Sequence, residues 1–309
     1  MRIFVTGGTG QVGRRLVSHL GQRGDQVVVL TRRPDVAQKH FGDQVAVVAG
    51  DPMQPGDWMT GVEDCDAVVH LAGENVFARR WNAAFKQRLR DSRVLTTRNV
   101  VEALRRSPNR GDGQPKILVN ASAIGYYGPR GDEDLDENSG PGEDFLARVC
   151  IEWEGAAREA EVLSVRVALV RIGVVLDPAA GALTKLLTPF KLFVGGPVGS
   201  GRQWLSWIHH QDLTGILCLA LDHPDARGPL NGTAPHAQTN RDFSRALGKA
   251  LHRPSLLKTP GFALRLGLGE VAHLLVTGQK VYPRKALALG YTFRFPTVDP
   301  ALADLLGGR

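Results

Sequence analysis

The run Val5-Thr-Gly-Gly-Thr-Gly-Gln-Val-Gly13 constrains the fold more than any other part of the chain, because Gly7, Gly10 and Gly13 recur at every third position between two segments of different period. Before it, Arg2 to Thr6 is an apolar, β-branched strand. After it, Gln11 to Gln22 places Val12, Leu16, Val17 and Leu20 on one helical face, and Gln26 to Thr31 returns to a strand of consecutive apolar residues. A turn between such a strand and helix needs glycine for its dihedrals, for close backbone approach to a pyrophosphate, and for packing the helix against its strand. The pattern therefore predicts a phosphate on the helix N-terminus, with Gly7, Thr9, Gly10, Gln11, Val12 and Gly13 around it.

The alternation continues. Strands are expected at Val45 to Val48, Ala67 to Leu71, Ile117 to Asn120 and Val165 to Ile172, with helices over Ala83 to Leu104 and Glu143 to Ala160 between them. The fold class is α/β: a Rossmann-type doubly wound parallel sheet with a smaller C-terminal substrate lobe. After Leu176 the rhythm breaks into the glycine-rich Val194-Gly-Gly-Pro-Val-Gly-Ser-Gly201. The expected division is a cofactor domain over 1–176, to which 204–233 returns, and a substrate lobe with a helical end over 177–309. In that lobe the reading places helices near Gln211 to Leu221 and Arg241 to Leu251, one long apolar helix over Phe262 to Val276, a loop through Tyr282 to Lys285 and a closing helix at Pro300 to Leu306.

Which dinucleotide such a domain takes follows from the end of the second strand, where a carboxylate would bond the ribose 2′-hydroxyl of NAD. This chain has Thr31-Arg32-Arg33 instead. Two guanidiniums and a hydroxyl suit a 2′-phosphate, so the expected cofactor is NADP(H). Asp51, after the third strand, is read either as a partner of the adenine amino group or as a helix N-cap before Pro52. Leu71, Ala72, Gly73 and Glu74, after the fourth strand, complete the expected cofactor wall. Glu74 is read as an acid or base if desolvated and otherwise as a surface carboxylate.

Beyond the glycine run, the segments His70-Leu-Ala-Gly-Glu74, Arg80-Trp81, Lys86 to Arg98, Ser122-Ala-Ile-Gly-Tyr-Tyr-Gly128, Trp204-Leu-Ser-Trp-Ile-His209, Pro283-Arg-Lys285 and Gly290-Tyr-Thr-Phe293 resemble the short-chain dehydrogenase/reductase superfamily. Within it they are similar to an atypical, NAD-dependent epimerase/dehydratase-like branch, and the likeness spans nearly the whole chain. The resemblance implies hydride transfer at a nicotinamide. It also implies a Tyr and a Lys four apart on the helix after the fifth strand, and here the chain departs from the pattern, because those positions fall on Leu146 and Cys150 of Phe145-Leu-Ala-Arg-Val-Cys-Ile-Glu-Trp-Glu154. Ser122 stands where the superfamily places its catalytic hydroxyl, with Ala123 the other candidate for that position. Tyr126 and Tyr127 follow it as further catalytic candidates.

The substrate pocket is expected around Arg202, Trp204 and Trp207, with Lys86, Arg90 and Arg93 approaching from one helical face at spacings of four and three. Cations beside indoles suit an anionic or nucleotide-bearing small molecule. Alternatively, the arginines form a solvated stripe and the tryptophans pack the core. Two functions follow: an NADP(H)-dependent enzyme acting on a carbonyl or secondary alcohol, such as that of a sugar nucleotide, or a catalytically silent NADP(H)-binding sensor or structural protein. Other classes find little support. The formal charge of +7 is spread along the chain without a basic run, which argues against nucleic acid. His209-His210 lacks metal-ligand spacing, and Cys65, Cys150 and Cys218 suggest neither zinc nor disulfides. The N-terminus carries no secretory h-region and no apolar run reaches membrane-spanning length, so the expected setting is the cytoplasm, with no membrane partner. No motif specifies an oligomeric state.

Overall fold

Apolar residues on consecutive strand positions must be buried on both faces, and the chain meets that demand with one seven-stranded, all-parallel sheet. The computed structural model describes residues 1–307 except 108 and 111. In chain order the strands are β1 (Arg2–Thr6), β2 (Gln26–Thr31), β3 (Val45–Ala49), β4 (Ala67–His70), β5 (Ile117–Ala123), β6 (Arg166–Ile172) and β7 (Gly228–Gly232). Their order across the sheet is β7-β6-β5-β4-β1-β2-β3. Because β1 lies between β2 and β4, the winding reverses there and a crevice opens beyond the carboxyl ends of β1 and β4. The glycine run leaves β1 at that crevice.

Alternate strand residues feed two cores. Ile3, Val5, Val27, Val29, Val69 and Val119 pack with helix α1 (Gln11–Gln22), while Phe4, Val28, Leu30, Val68 and Leu118 face α2 (Ala83–Arg106). A third helix, α3 (Phe145–Arg158), lies beside α2, and α4 (His210–Asp222) beside α1. The lobe has its own core of Leu183, Leu187, Phe190, Phe243, Leu247, Leu302 and Leu306 around Trp207. The three cysteines are free and buried. No helix among the described residues is long and apolar enough to cross a membrane.

Two sequence expectations in the lobe are corrected. The apolar stretch from Phe262 to Val276 is not one helix: it runs as Gly261–Leu268, a 3₁₀ turn at Gly269–Ala272 and a short helix at His273–Val276. Gly269 breaks it, having φ +70°, which continues no α-helix. The loop through Tyr282 to Lys285 ends early, since a helix begins at Arg284 and runs to Ala288.

The C-terminal tail is pinned by one carboxylate. Asp212, buried in the first turn of α4, accepts hydrogen bonds from the backbone N–H groups of Arg294 (2.8 Å) and Phe295 (2.9 Å) and from the Tyr291 hydroxyl (3.2 Å). Tyr291 fits because residue 215 is glycine: a Cβ there would lie 2.1 Å from its hydroxyl oxygen. Replacing Asp212 by Ala takes the acceptor from the Arg294 N–H and from the buried Phe295 N–H and should cost about 3 kcal/mol. Thermal unfolding of Asp212→Ala is expected about 5 °C or more below the parent; an unchanged midpoint would show that the tail holds without this anchor.

Candidate cofactor and substrate site

At the crevice, the glycines are required by contact rather than by composition. A Cβ on Gly13 would lie 2.2 Å from the Gly7 carbonyl oxygen, and one on Gly7, where φ is +68°, would lie 2.7 Å from the Leu71 carbonyl. The turn closes through Gly10 N–H to the Gly7 carbonyl at 2.9 Å. Gly10 caps α1 without any side-chain hydrogen bond, which leaves the first-turn N–H groups of the helix for a ligand anion. Gln11 is turned away: its amide donates to the Ala180 carbonyl at 3.1 Å, and Arg15 pairs with the buried carboxylate of Asp177 at 3.1 Å. These contacts lay the segment after Leu176 against the start of α1.

At the far end of β2, Thr31 is buried and its hydroxyl accepts from the Arg33 N–H at 3.1 Å, while the Arg32 guanidinium is exposed and stands 3.8 Å from the Asp51 carboxylate. Asp51 also accepts from the N–H of Met53, so it closes a turn rather than capping a helix. Arg33 is exposed, with its side chain in no described ion pair. Two cations thus face solvent where the ribose edge of a dinucleotide reaches β2 in this fold.

The wall after β4 hangs from a buried imidazole. Thr6 accepts from the Ala72 N–H and passes its own hydrogen to His70 Nδ1 at 2.6 Å, while His70 Nε2 meets the Thr96 hydroxyl at 3.1 Å. Thr96 in turn donates to the Ser92 carbonyl, so the network assigns the proton to Nε2. Arg93, expected to approach a substrate, is half-buried: it donates to the carbonyls of Glu74 and Leu89 and lies 3.5 Å from where a Cβ on Gly73 would stand. It clamps the Leu71 to Glu74 wall. Glu74 binds Arg88 at 2.9 Å.

After β5, the nominated hydroxyls part company. Ser122 is buried and donates to Glu154 Oε1 at 2.7 Å; Tyr127 is fully buried, donating to Asn231 (2.7 Å) and accepting from Arg171 (3.0 Å). Both hydroxyls complete the coordination of a buried Glu154–Arg171 pair whose two N–H···O bonds are each 2.8 Å. Tyr126 is different. It is half-buried, its ring lies 3.5 Å over the Arg171 guanidinium, and its hydroxyl is in no described hydrogen bond. Leu146 and Cys150 do face this turn, lying 3.4 Å and 4.0 Å from a Cβ built on Gly125. Burial pushes the Cys150 thiol up to about 12.

The expected substrate residues do not assemble as one group. Trp207 is fully buried in the lobe core, its indole N–H on the His236 carbonyl; it packs rather than binds, because its side of the strand faces inward. Arg90 is a surface partner of Glu152 and Asp91, and Lys86 reaches Glu270 at 2.6 Å, tying α2 to the lobe. Arg202 and Trp204 do share a cavity of about 270 Å³, walled also by Pro129, Asp132 and Gly278. Trp204 donates to Asp132 at 2.7 Å there, and Arg202 is exposed. Sequence reading missed Glu154, Arg171 and Asn231. A carboxylate on an otherwise apolar helical face and an arginine inside an apolar strand were the available signals.

Comparison with known proteins places this architecture. A profile for the NAD dependent epimerase/dehydratase family matches residues 3–231, and one for a domain of unknown function, DUF1731, matches residues 259–305. The chain is 42% identical over 308 residues to the chloroplastic SDR39U1 homolog of Arabidopsis thaliana, covering 99% of this chain and 87% of the relative. It superposes on the crystal structure of human epimerase family protein SDR39U1 with NADPH at a TM-score of 0.86, with 35% identity and full coverage of both chains. It superposes on a nucleoside-diphosphate sugar epimerase from Corynebacterium glutamicum at 0.78, with 34% identity, covering all of this chain and 58% of that one.

The buried imidazoles predict how stability depends on pH. Burial holds His70 down to about 3 and His209, beside His210, down to about 4. In the unfolded chain both titrate near ~6.5. The neutral forms are therefore favoured on folding; this contribution is complete above about pH 6.5 and is lost as pH falls toward the folded values, where the unfolded chain binds the extra protons. The melting temperature should drop between pH 7 and 4, and His70→Gln should flatten that slope. A variant with the parent's slope would assign the acid sensitivity elsewhere.

Proposed function

The chain belongs to the NAD dependent epimerase/dehydratase family, and from that premise we propose that it binds NADP(H) at the crevice between β1 and β4 and transfers hydride to or from a carbonyl or secondary alcohol of a small anionic substrate. The observation that carries the cofactor assignment is the cradle itself: backbone where any Cβ on Gly7 or Gly13 would collide, beneath a helix N-terminus with no side-chain cap. Arg32 and Arg33 would hold the 2′-phosphate, and the human relative was crystallised with NADPH.

A bound nicotinamide supplies or accepts the hydride. The proton that must join or leave the substrate oxygen is then the task of this chain. Tyr126 is our candidate, since of Ser122, Tyr126 and Tyr127 it alone keeps its hydroxyl clear of the Glu154–Arg171 network. The network acts on it by position, fixing the ring from below. Arg202 and Trp204, in their cavity, suit a nucleotide-linked sugar, the substrate class in the description of the Corynebacterium relative. A second reading, a binder without turnover, is favoured by Leu146 and Cys150, which put an alkyl group and an un-ionised thiol at the positions the superfamily gives to Tyr and Lys.

NADPH is expected to bind at least about tenfold more tightly than NADH, and Arg32→Ala with Arg33→Ala should erase most of that preference; equal affinities in the parent would refute the 2′-phosphate assignment. Incubated with NADPH and a panel of ketones, sugars and nucleotide sugars, the parent should oxidise the cofactor. Tyr126→Phe should lower kcat at least about a hundredfold with NADPH affinity retained. Stoichiometric binding with no turnover anywhere on the panel would decide for the silent binder.

A further inference from the structure

The opposite edge of the sheet carries a second cavity, of about 470 Å³, which the cofactor and substrate readings leave unused. It lies at the amino ends of the strands: Ile117 opens β5 and Arg166 opens β6. Four guanidiniums from separate parts of the chain line it, Arg23, Arg110, Arg166 and Arg227.

Their charges are unevenly met. Arg23 is satisfied by Asp25 and Asp222, each at 2.5 Å. Arg110 pairs with Asp112 at 2.7 Å and more loosely with Asp66 at 3.8 Å, yet its Nε is buried without a hydrogen-bond acceptor among the described residues. Arg166 is buried and caps the C-terminal end of α4, donating to the carbonyls of Ala220, Leu221 and Ala226; no carboxylate among the described residues forms an ion pair with it. Arg227 is exposed, and its guanidinium takes part in no described ion pair or hydrogen bond. Arg110, Arg166 and Arg227 line one cavity together, and burial first, then the nearby Arg227 and Arg110 charges, lower the Arg166 pKa, with Asp222 opposing them. A helix cap accounts for one arginine, not for three that converge. Pro115, Ile117, Leu221 and Pro224 give the wall an apolar part, and its two carboxylates, Asp25 and Asp222, are both engaged by Arg23.

We propose that this cavity binds a small phosphate monoester, its dianion held between Arg166 and Arg227 and its organic part against the Pro115–Leu221 wall. A doubly charged tetrahedral anion relieves the repulsion and supplies the acceptor that the Arg227 guanidinium lacks among the described residues, while Arg166, already bonded to three carbonyls, contributes its charge. The strands separate this site from the cofactor crevice, so both are filled at once.

Ribose 5-phosphate and inorganic phosphate are the probes, titrated by calorimetry into the full chain saturated with NADPH and, separately, into the Arg32→Ala/Arg33→Ala protein without cofactor. Saturable binding is expected in both, tighter for ribose 5-phosphate, and weakened about tenfold by Arg227→Ala. Arg227 is exposed and its guanidinium makes no contact whose loss would unfold the chain, and NADPH affinity should not change. Binding that vanishes with Arg32 and Arg33 belongs to the cofactor edge and overturns the proposal. So does binding that Arg227→Ala leaves untouched, or an absence of saturable binding in either protein. A chain that fails to bind NADPH but still takes ribose 5-phosphate through Arg227 would sink the cofactor reading and leave this one standing.

Discussion

The approach of Gly13 to the Gly7 carbonyl sets the geometry of the whole carboxyl edge. With a Cβ 2.2 Å from that oxygen, α1 would be forced off β1. The wall after β4 would follow, because Leu71 and Ala72 pass directly over Gly7 and are tied to the same strand by Thr6. The cost of this closeness is a set of backbone groups that only local side chains can satisfy. Thr6, His70 and Thr96 form a chain of neutral donors and acceptors through the interior, and Arg93 supplies the carbonyl partners at the rim. A charged imidazole would break that chain, since Nδ1 would lose its role as acceptor.

A buried ion pair, Glu154 with Arg171, is anchored on the helix that carries Leu146 and Cys150. Burying a carboxylate and a guanidinium is unfavourable unless every remaining lone pair and N–H is met. Here Ser122 and Tyr127 do that, each bonding one member of the Glu154–Arg171 pair, and Asn231 carries the network on to β7. The pair thus links α3, β5, β6 and the edge strand. The hydrogen bonds of these two hydroxyls are what make the burial tolerable. Removing either partner alone strands a charge, at a cost of about 3–5 kcal/mol.

The sheet and the glycine turn were legible in the sequence because local chemistry decides them. Consecutive apolar runs, helical faces at three and four, and a glycine trio between them leave few alternatives, and the observed strands fall within a few residues of those runs. The Phe262 to Val276 segment failed for a reason of the same kind: its apolar pattern outvoted Gly269, although a single residue at φ +70° ends a helix whatever its neighbours prefer. The site was harder. Whether Trp207 binds or packs depends on which way a short strand faces, and whether Arg93 meets a ligand or a carbonyl depends on a loop nineteen positions away in sequence from its own helix position. Side-chain destinations across such separations are tertiary facts, and residue type and spacing do not encode them.

The lobe and the cofactor crevice are mechanically joined at three points, and this bears on how substrate and cofactor would sense one another. Arg15 holds Asp177, Gln11 holds Ala180, and a Cβ on Gly181 would fall 2.3 Å from the Gln11 amide oxygen, so the segment leading into the lobe sits directly on the first turn of α1. On the other side, Lys86 and Arg80 bind Glu270 and the Leu266 carbonyl, attaching the C-terminal part of the lobe to the start of α2. Asp212 fixes the tail to α4, which packs on the same face as α1. An anion arriving at the uncapped end of α1 therefore lies within one turn of the residues that seat the lobe. Any shift of Gln11 or Arg15 made to admit it is transmitted to Asp177 and Ala180 through direct hydrogen bonds, with no intervening solvent-exposed linker.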